Sequence, residues 1–450
     1  MRVQQECAIA VRTVDIGHHI NPITDVSDYT RTRVFVADEG VLLGSVDIAN
    51  AGRPISAVRL REAIASGLSY HLMKRALEKQ LGLEPVAHLP LHVPVSIVIP
   101  TCNRPDDLRR CLDALQRERP LRPREIVVVD NRPGPASPTP AVARDFPDVR
   151  LVDEHRPGLS YARNCGFAAA TGDILIAIDD DVVVSDGWLE RLVAPFARRE
   201  VMAVTGHVLP LELETRSQCE FEAYGGLGKG YNRFEVDGEW FRSVRGAVPT
   251  WNIGATANAA FRATIFDDPA IGMLDEALGA GMPTGCSEDT YLFYRILKAG
   301  HTIVYDPAAF VWHRHRRDGA ALRHQIHCYS KGHVAYHLTT LVRDGDRRAL
   351  MRLAYSLPKT YLRRAYARLR RRSDYPLNLI LTEIAGTLAG PWALWQSRRR
   401  VRRLGPGARM SRHHAVSMES PLAQTSAAQP AVAPLARAPG RDHRQLRPAP

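Results

Sequence analysis

No Cys-x-x-Cys pair occurs anywhere in the 450 residues; the seven cysteines (Cys7, Cys102, Cys111, Cys165, Cys219, Cys286, Cys328) are scattered and odd in number. That spacing argues against a disulfide framework and against a structural zinc site, and it fits a reducing compartment. The N-terminus, Met1-Arg2-Val3-Gln4-Gln5-Glu6, lacks the continuous apolar stretch of a secretory signal. The expected location is therefore cytoplasmic. Carboxylates thin out beyond Arg314, where arginine runs such as Arg370-Arg371-Arg372 and Arg398-Arg399-Arg400 account for much of the net charge of +12. An apolar content of 45% is that of a folded protein, and the length allows about two or three cores.

Residues 1–90 read as a small α+β unit: Arg33 to Val36, a turn at Glu39-Gly40 and Val41 to Ile48 form a hairpin, and Ser56 to Leu81 a helix. No chemistry attaches to it. A proline-bearing linker from Glu84 to Pro94 precedes Val95-Ser96-Ile97-Val98-Ile99, an apolar run of the kind buried on both faces of a parallel sheet. Strand and helix patterns then alternate: strand 95–99, helix 106–117, strand 126–129, strand 149–152, helix 160–171, strand 174–178. Such alternation predicts βαβ crossovers and a mostly parallel, Rossmann-like sheet over residues 95–316, with ligands at the carboxyl ends of the strands. Residues 317–404 read as a helical basic region and 405–450 as a disordered Pro/Ala/Arg tail.

The strand Ile174 to Ile178 runs directly into Asp179-Asp180-Asp181. Three adjacent carboxylates repel one another unless a cation sits among them, and Mg²⁺ or Mn²⁺ takes such oxygen ligands together with substrate phosphates. The competing reading is a solvated acidic loop or a helix N-cap.

Taken together, Ile99-Pro100-Thr101-Cys102-Asn103-Arg104, Val127-Val128-Val129-Asp130-Asn131, Ala162-Arg163-Asn164-Cys165-Gly166 and the acidic triplet resemble, in order and spacing, the donor-site motifs of glycosyltransferase family 2. Downstream, the segment from Asn252 to Arg262, with Gly254 and Asn258, resembles that family's acceptor-side glycine loop, and Ser287-Glu288-Asp289-Thr290 resembles its acid/base dipeptide. The resemblance covers about Val95 to His315 and implies the GT-A fold, an inverting reaction, a nucleotide-diphosphate sugar donor and a carbohydrate or lipid-linked acceptor. By match to the motifs, Pro100, Thr101, Asn103 and Asp130 fall to the donor, with Thr101 and Asp130 at the base. Arg163 is a donor contact, Asp179 lies near the ribose, Asp180 is a donor contact or a spectator, and Asp181 is the metal ligand. His313 matches a histidine that meets metal or diphosphate; His315 is the alternative.

A displacement at an anomeric carbon needs a base for the acceptor hydroxyl, and a carboxylate in hydrogen-bond reach suffices. Asp289, at the start of a helix whose positive end favours its ionised form, is the expected base, with Glu288 orienting it or the acceptor. An N-cap pair is the bland alternative. Trp251 is read as a stacking surface for a sugar or as packing, and the segment Gly225 to Gly230 as a mobile loop over the acceptor cleft rather than a phosphate loop.

Leu377, Ile380, Leu381, Ile384, Leu388, Trp392 and Trp395 recur at helical spacing between the arginine runs. Such a helix suits peripheral contact with the inner face of the cell membrane, in cell-envelope, polysaccharide or glycolipid synthesis, or it packs on the catalytic domain. Full spanning conflicts with Glu383 and Pro391. Two other functions compete. A nucleotidyltransferase would need a basic Gly-rich loop after the first strand, and a non-catalytic basic membrane or nucleic-acid adaptor would carry its charge on the motif-rich half. Pro100-Thr101-Cys102-Asn103 is no such loop and the charge lies elsewhere, so no nucleic acid partner is expected.

Overall fold

The structure, a computed structural model, describes residues 8–83, 88–370 and 375–410. Arg371 and Arg372 of the first arginine run, and residues 411–450 of the expected tail, lie outside the described residues.

The chain begins with a three-stranded sheet in which β1 (Ile9–Asp15) runs parallel to β2 (Arg31–Asp38), and β2 forms a hairpin with β3 (Val41–Ala49). Its turn places Glu39 at φ 51° and Gly40 at φ 75°, the left-handed pair whose twist matches that of the strands. Ser56 caps α1 (Ala57–Gly67) by accepting the Arg59 N–H at 3.3 Å. Where one helix is expected from Ser56 to Leu81, the chain breaks at Leu68 and continues as α2 (Ser69–Gln80). The cause is tertiary: Leu68 packs so close to β3 that a Cβ at Gly44 would meet its Cδ2 at 2.6 Å. Phe35 and Leu42 seat this sheet on Leu209 and Phe310 of the next one.

That second sheet has nine strands among the described residues, in the order β10-β12-β9-β11-β7-β4-β5-β6, with β8 beside β12. Its strands are β4 (Val95–Thr101), β5 (Arg124–Asp130), β6 (Val149–Asp153), β7 (Ile174–Ile178), β8 (Val182–Val184), β9 (Val201–Pro210), β10 (Phe234–Val236), β11 (Asn258–Arg262) and β12 (Thr302–His313). Pairing is parallel through β7, β4, β5 and β6, whereas β11 is inserted antiparallel between β7 and β9. Every residue of β4 and β7 is buried, as continuous apolar runs require when helices cover both faces. Helix α3 (Pro105–Arg117) lies on one face and α4 (Leu159–Ala169) on the other. Gly166 lets α4 press onto the sheet, since a Cβ there would meet Val98 Cγ1 at 2.3 Å.

After α5 (Glu288–Lys298) and β12 the chain becomes helical: α6 (Gly319–Asp344), a π-helical turn from Arg352 to Ser356, α7 (Leu357–Leu369) and α8 (Leu377–Leu404). Helix α8 continues through Pro391. Gly386 and Gly390 bring it against α6, where a Cβ would meet His327 O at 2.5 Å and Val334 Cβ at 2.5 Å. Glu383 is buried and accepts from Arg364 at 2.7 Å and from Tyr375 at 3.0 Å. By length and composition α8 is the one described helix able to cross a bilayer, yet a third of its apolar window is buried in the protein.

Candidate active site

The carboxyl ends of β4, β5 and β7 open into a cleft of ≈ 1780 Å³ that continues past α5 to α6 and α7. Cavities for one small ligand usually occupy about 300–1,000 Å³, so this one has room for two reactants side by side.

At its β-sheet end, β7 delivers the acidic triplet. Asp180 turns inward, where its carboxylate accepts from Thr101 Oγ1 at 2.7 Å and Arg104 Nη1 at 2.8 Å. Burial, reinforced by Asp181, pushes the Asp180 carboxyl up to about 7 even though Arg104 opposes it. Asp181 is almost fully buried; Arg104 reaches its Oδ2 at 2.9 Å and His313 Nε2 lies 3.2 Å from its Oδ1. Burial alone would raise the Asp181 carboxyl, but His313 and Arg104 together hold it far below the usual range. Asp181 raises His313 in turn, against burial.

One atom stands out. Asp181 Oδ1 is buried and makes no properly aligned hydrogen bond, a costly state for a carboxylate oxygen. Asp179, Asp181 and His313 each offer a ligand atom, and these atoms lie within 4.8 Å of one another. Two carboxylates and an imidazole form a donor set suited to Mn²⁺ or Mg²⁺, and a cation among them would satisfy that oxygen. Asp179, expected beside a ribose, thus stands with Asp181 and His313. His315 stands behind them, its Nε2 taken by Glu222 Oε1 at 2.8 Å.

Arg163 joins the two halves of the site. Fully buried, it donates to Asp179 Oδ1 at 2.6 Å and to Glu288 Oε1 at 2.7 Å. Burial and the neighbouring Asp289 push Glu288 up to about 7, with Arg163 opposing. Asp289 is half-buried and lines the cleft: Oδ1 accepts from Thr290 N–H at 2.6 Å, and Oδ2 faces the Thr256 N–H at 3.4 Å.

A model of glycosyl transferase family 2 matches residues 96–238, the segment that holds the triplet, Arg163 and the strand ends beneath them. Over that segment the chain is similar to glycosyl transferase family 2. The pre-mycofactocin glycosyltransferase of Mycobacterium tuberculosis is 30% identical over 235 residues, 50% of this chain and 44% of that protein. Glycosyltransferase AglE of Haloferax volcanii is 26% identical over 52% of this chain and 70% of its own length. The mannosyltransferase PcManGT of Pyrobaculum calidifontis, solved with GDP-Man and Mn²⁺, superposes with a TM-score of 0.42 at 19% identity, covering 76% of this chain and 85% of that one. The chain spans less than half of the first of these relatives. The sheet is mostly parallel, with β11 inverted between β7 and β9 and with β8 and β10 antiparallel to β12, in keeping with the GT-A fold that the family 2 resemblance implies.

The remaining expected residues divide. Pro100 and Thr101 line the cleft, whereas Asp130 is wholly buried, its carboxylate held by the Arg132 N–H at 3.0 Å and by Ser137 Oγ. Asn103 stands exposed at φ 54°, in the turn that leads to α3. Trp251 lines the cleft edge-on to His333, with the Arg352 guanidinium 5.1 Å from its ring. Gly254 lets the loop touch Thr205, whose Cβ would lie 2.4 Å from an added Cβ. Asn258 is a correction. It starts β11 rather than sitting in a loop, and its amide is spent inside the protein: it accepts from Trp188 Nε1 at 2.9 Å and donates to His207 O at 3.0 Å and Ala309 O at 2.9 Å. It is buried and does not line the cleft.

Two further cations stand in the site. Arg104, inside the first motif and just before Pro105, braces the triplet. Lys229, in the glycine-rich segment, enters the cleft; burial lowers its ammonium and Asp289 partly offsets that.

Proposed function

We propose that the chain transfers a sugar from a nucleotide-diphosphate donor to an acceptor hydroxyl with inversion, in this cleft. The observation that carries the reading is the juxtaposition, through the single guanidinium of Arg163, of a cation-binding trio with the Glu288-Asp289 pair. Asp179, Asp181 and His313 would hold Mn²⁺ or Mg²⁺, which when bound supplies Lewis-acid stabilisation of charge on a leaving diphosphate. Asp289 takes the acceptor's proton as the acceptor oxygen bonds to the anomeric carbon. The bond from that carbon to the diphosphate oxygen breaks, and its electron pair leaves with the nucleoside diphosphate. Glu288 and Arg163 fix the distance between the two ends; Pro100, Thr101 and the Asn131 loop form the floor beneath the donor.

The test is nucleoside diphosphate release from a panel of nucleotide sugars, with Mn²⁺, Mg²⁺ or chelator and a membrane extract as acceptor. The expected result is release from one donor class that stops with chelator. Equal release in chelator, or none from any donor, contradicts the proposal.

The exposed face of α8 supports peripheral contact with an anionic membrane as part of the same reading. Leu377, Leu381, Leu388, Trp392 and Trp395 all point outward, the two tryptophan rings stack at 4.5 Å, and Arg399 lies over Trp395 at 5.4 Å. Aromatic and leucine side chains bordered by arginine suit the headgroup boundary. The full chain should float with anionic vesicles and Trp392→Glu should reduce this several-fold; flotation unchanged by that substitution counts against the contact.

A further inference from the structure

We propose that the acceptor carries a phosphate group, which Arg352 binds together with Lys331 and Arg363 at the helical end of the cleft. This rests on the reading of the cleft as a sugar-transfer site and names the class of its second substrate.

At the sheet end the cations Arg104 and Arg163 are paired with Asp179, Asp180, Asp181 and Glu288, whereas at the other end Lys331, Arg352, Arg363 and Arg364 line the cleft from α6, the π-helical turn and α7. Among the described residues the one carboxylate lining the helical end is Glu383, which Arg364 already pairs with and to which Tyr375 donates. Lys331, Arg352 and Arg363 form no ion pair among the described residues.

Arg352 is the anchor. Its Nε–H donates to His333 Nε2 at 3.2 Å and its guanidinium lies over Trp251, so the side chain is fixed on two sides. Arg352 lines the cleft, and no carboxylate pairs with it among the described residues. Holding a half-buried guanidinium unpaired costs desolvation free energy that an entering anion offsets. An Arg fork set among further cations fits the several oxygens of a phosphate better than a neutral hydroxyl. Leu350, Met351, Tyr355 and Leu362 are exposed on the same helical turns, so the phosphate can belong to a lipid as readily as to a soluble sugar.

The test measures binding to the full chain in the presence of Mn²⁺ and a nucleoside diphosphate. One arm compares farnesyl phosphate with farnesol in neutral phosphatidylcholine vesicles; the other compares glucose 1-phosphate with glucose in solution. In at least one arm the phosphate probe should bind about tenfold or more tightly than its uncharged counterpart. That advantage should disappear in Arg352→Gln and shrink in Lys331→Gln and Arg363→Gln, the last at an exposed position that leaves the fold undisturbed. The responding arm identifies a lipid or a soluble source. Equal binding of charged and uncharged probes in both arms, or an advantage that survives all three substitutions, overturns the proposal. Nucleoside diphosphate affinity, read on the same samples, should not change in the variants; its absence from the native chain would count against the donor reading instead.

Discussion

Asp289→Asn should lower kcat/KM for sugar transfer about a thousandfold while nucleoside diphosphate affinity stays within about twofold of native, the middle of the range that general-base catalysis contributes. The substitution keeps size and shape, and the amide oxygen still accepts from the Thr290 N–H, while the amide nitrogen takes the place that faces the Thr256 N–H at 3.4 Å. What it removes is the ability to accept a proton. Glu288→Gln provides the contrast: Glu288 is buried against Arg163 and pushed up to about 7, so much of its population is already uncharged near neutral pH, and the loss there should be far smaller. Steady-state kinetics beside nucleotide titration separate the two carboxylates. Equal losses in both variants would move the base from Asp289 to the pair as a unit.

Asp181→Ala should cost a similar factor by a different route. Lewis-acid stabilisation of a leaving diphosphate contributes several kcal/mol, and losing about 4 kcal/mol is about a thousandfold in rate. Here both kcat and donor affinity should fall, and added Mn²⁺ should no longer raise either. The fold should tolerate the change, because Arg104, which loses its bond to Asp181 Oδ2, keeps Asp180 and Asp107 as partners, and the other oxygen removed, Oδ1, has no aligned hydrogen bond. A variant that retains metal-stimulated turnover would show that Asp179 and His313 suffice.

The donor half of the site was legible because its residues sit at the ends of apolar strands, where contiguous sequence carries both the strand and the polar residue that follows it. Thr101 at the end of β4 and the triplet after β7 needed no tertiary information. The grouping of Asp179 with Asp181 did, since it depends on His313 arriving from β12 beside β8. Asn258 starts a strand where a loop is expected because Asn258-Ala259-Ala260-Phe261 has too short an apolar run to declare one; its pairing with both β7 and β9 makes it one. The break at Leu68 likewise lies in a contact with Gly44, not in local propensity. Arg352 was invisible among many arginines. Its position over Trp251 and beside His333 comes from the packing of α6 against the π-helical turn, and nothing in its neighbouring residues distinguishes it from those that face solvent.

The central claim is that Asp179, Asp181 and His313 hold a divalent cation at the donor end of the cleft. Mn²⁺ titrated into the full chain with a nucleoside diphosphate, followed by electron paramagnetic resonance, tests it most directly. One bound ion per chain, lost in Asp181→Ala and weakened in His313→Ala, is the predicted result; no bound signal with any nucleoside diphosphate, or the same signal in Asp181→Ala, would contradict it.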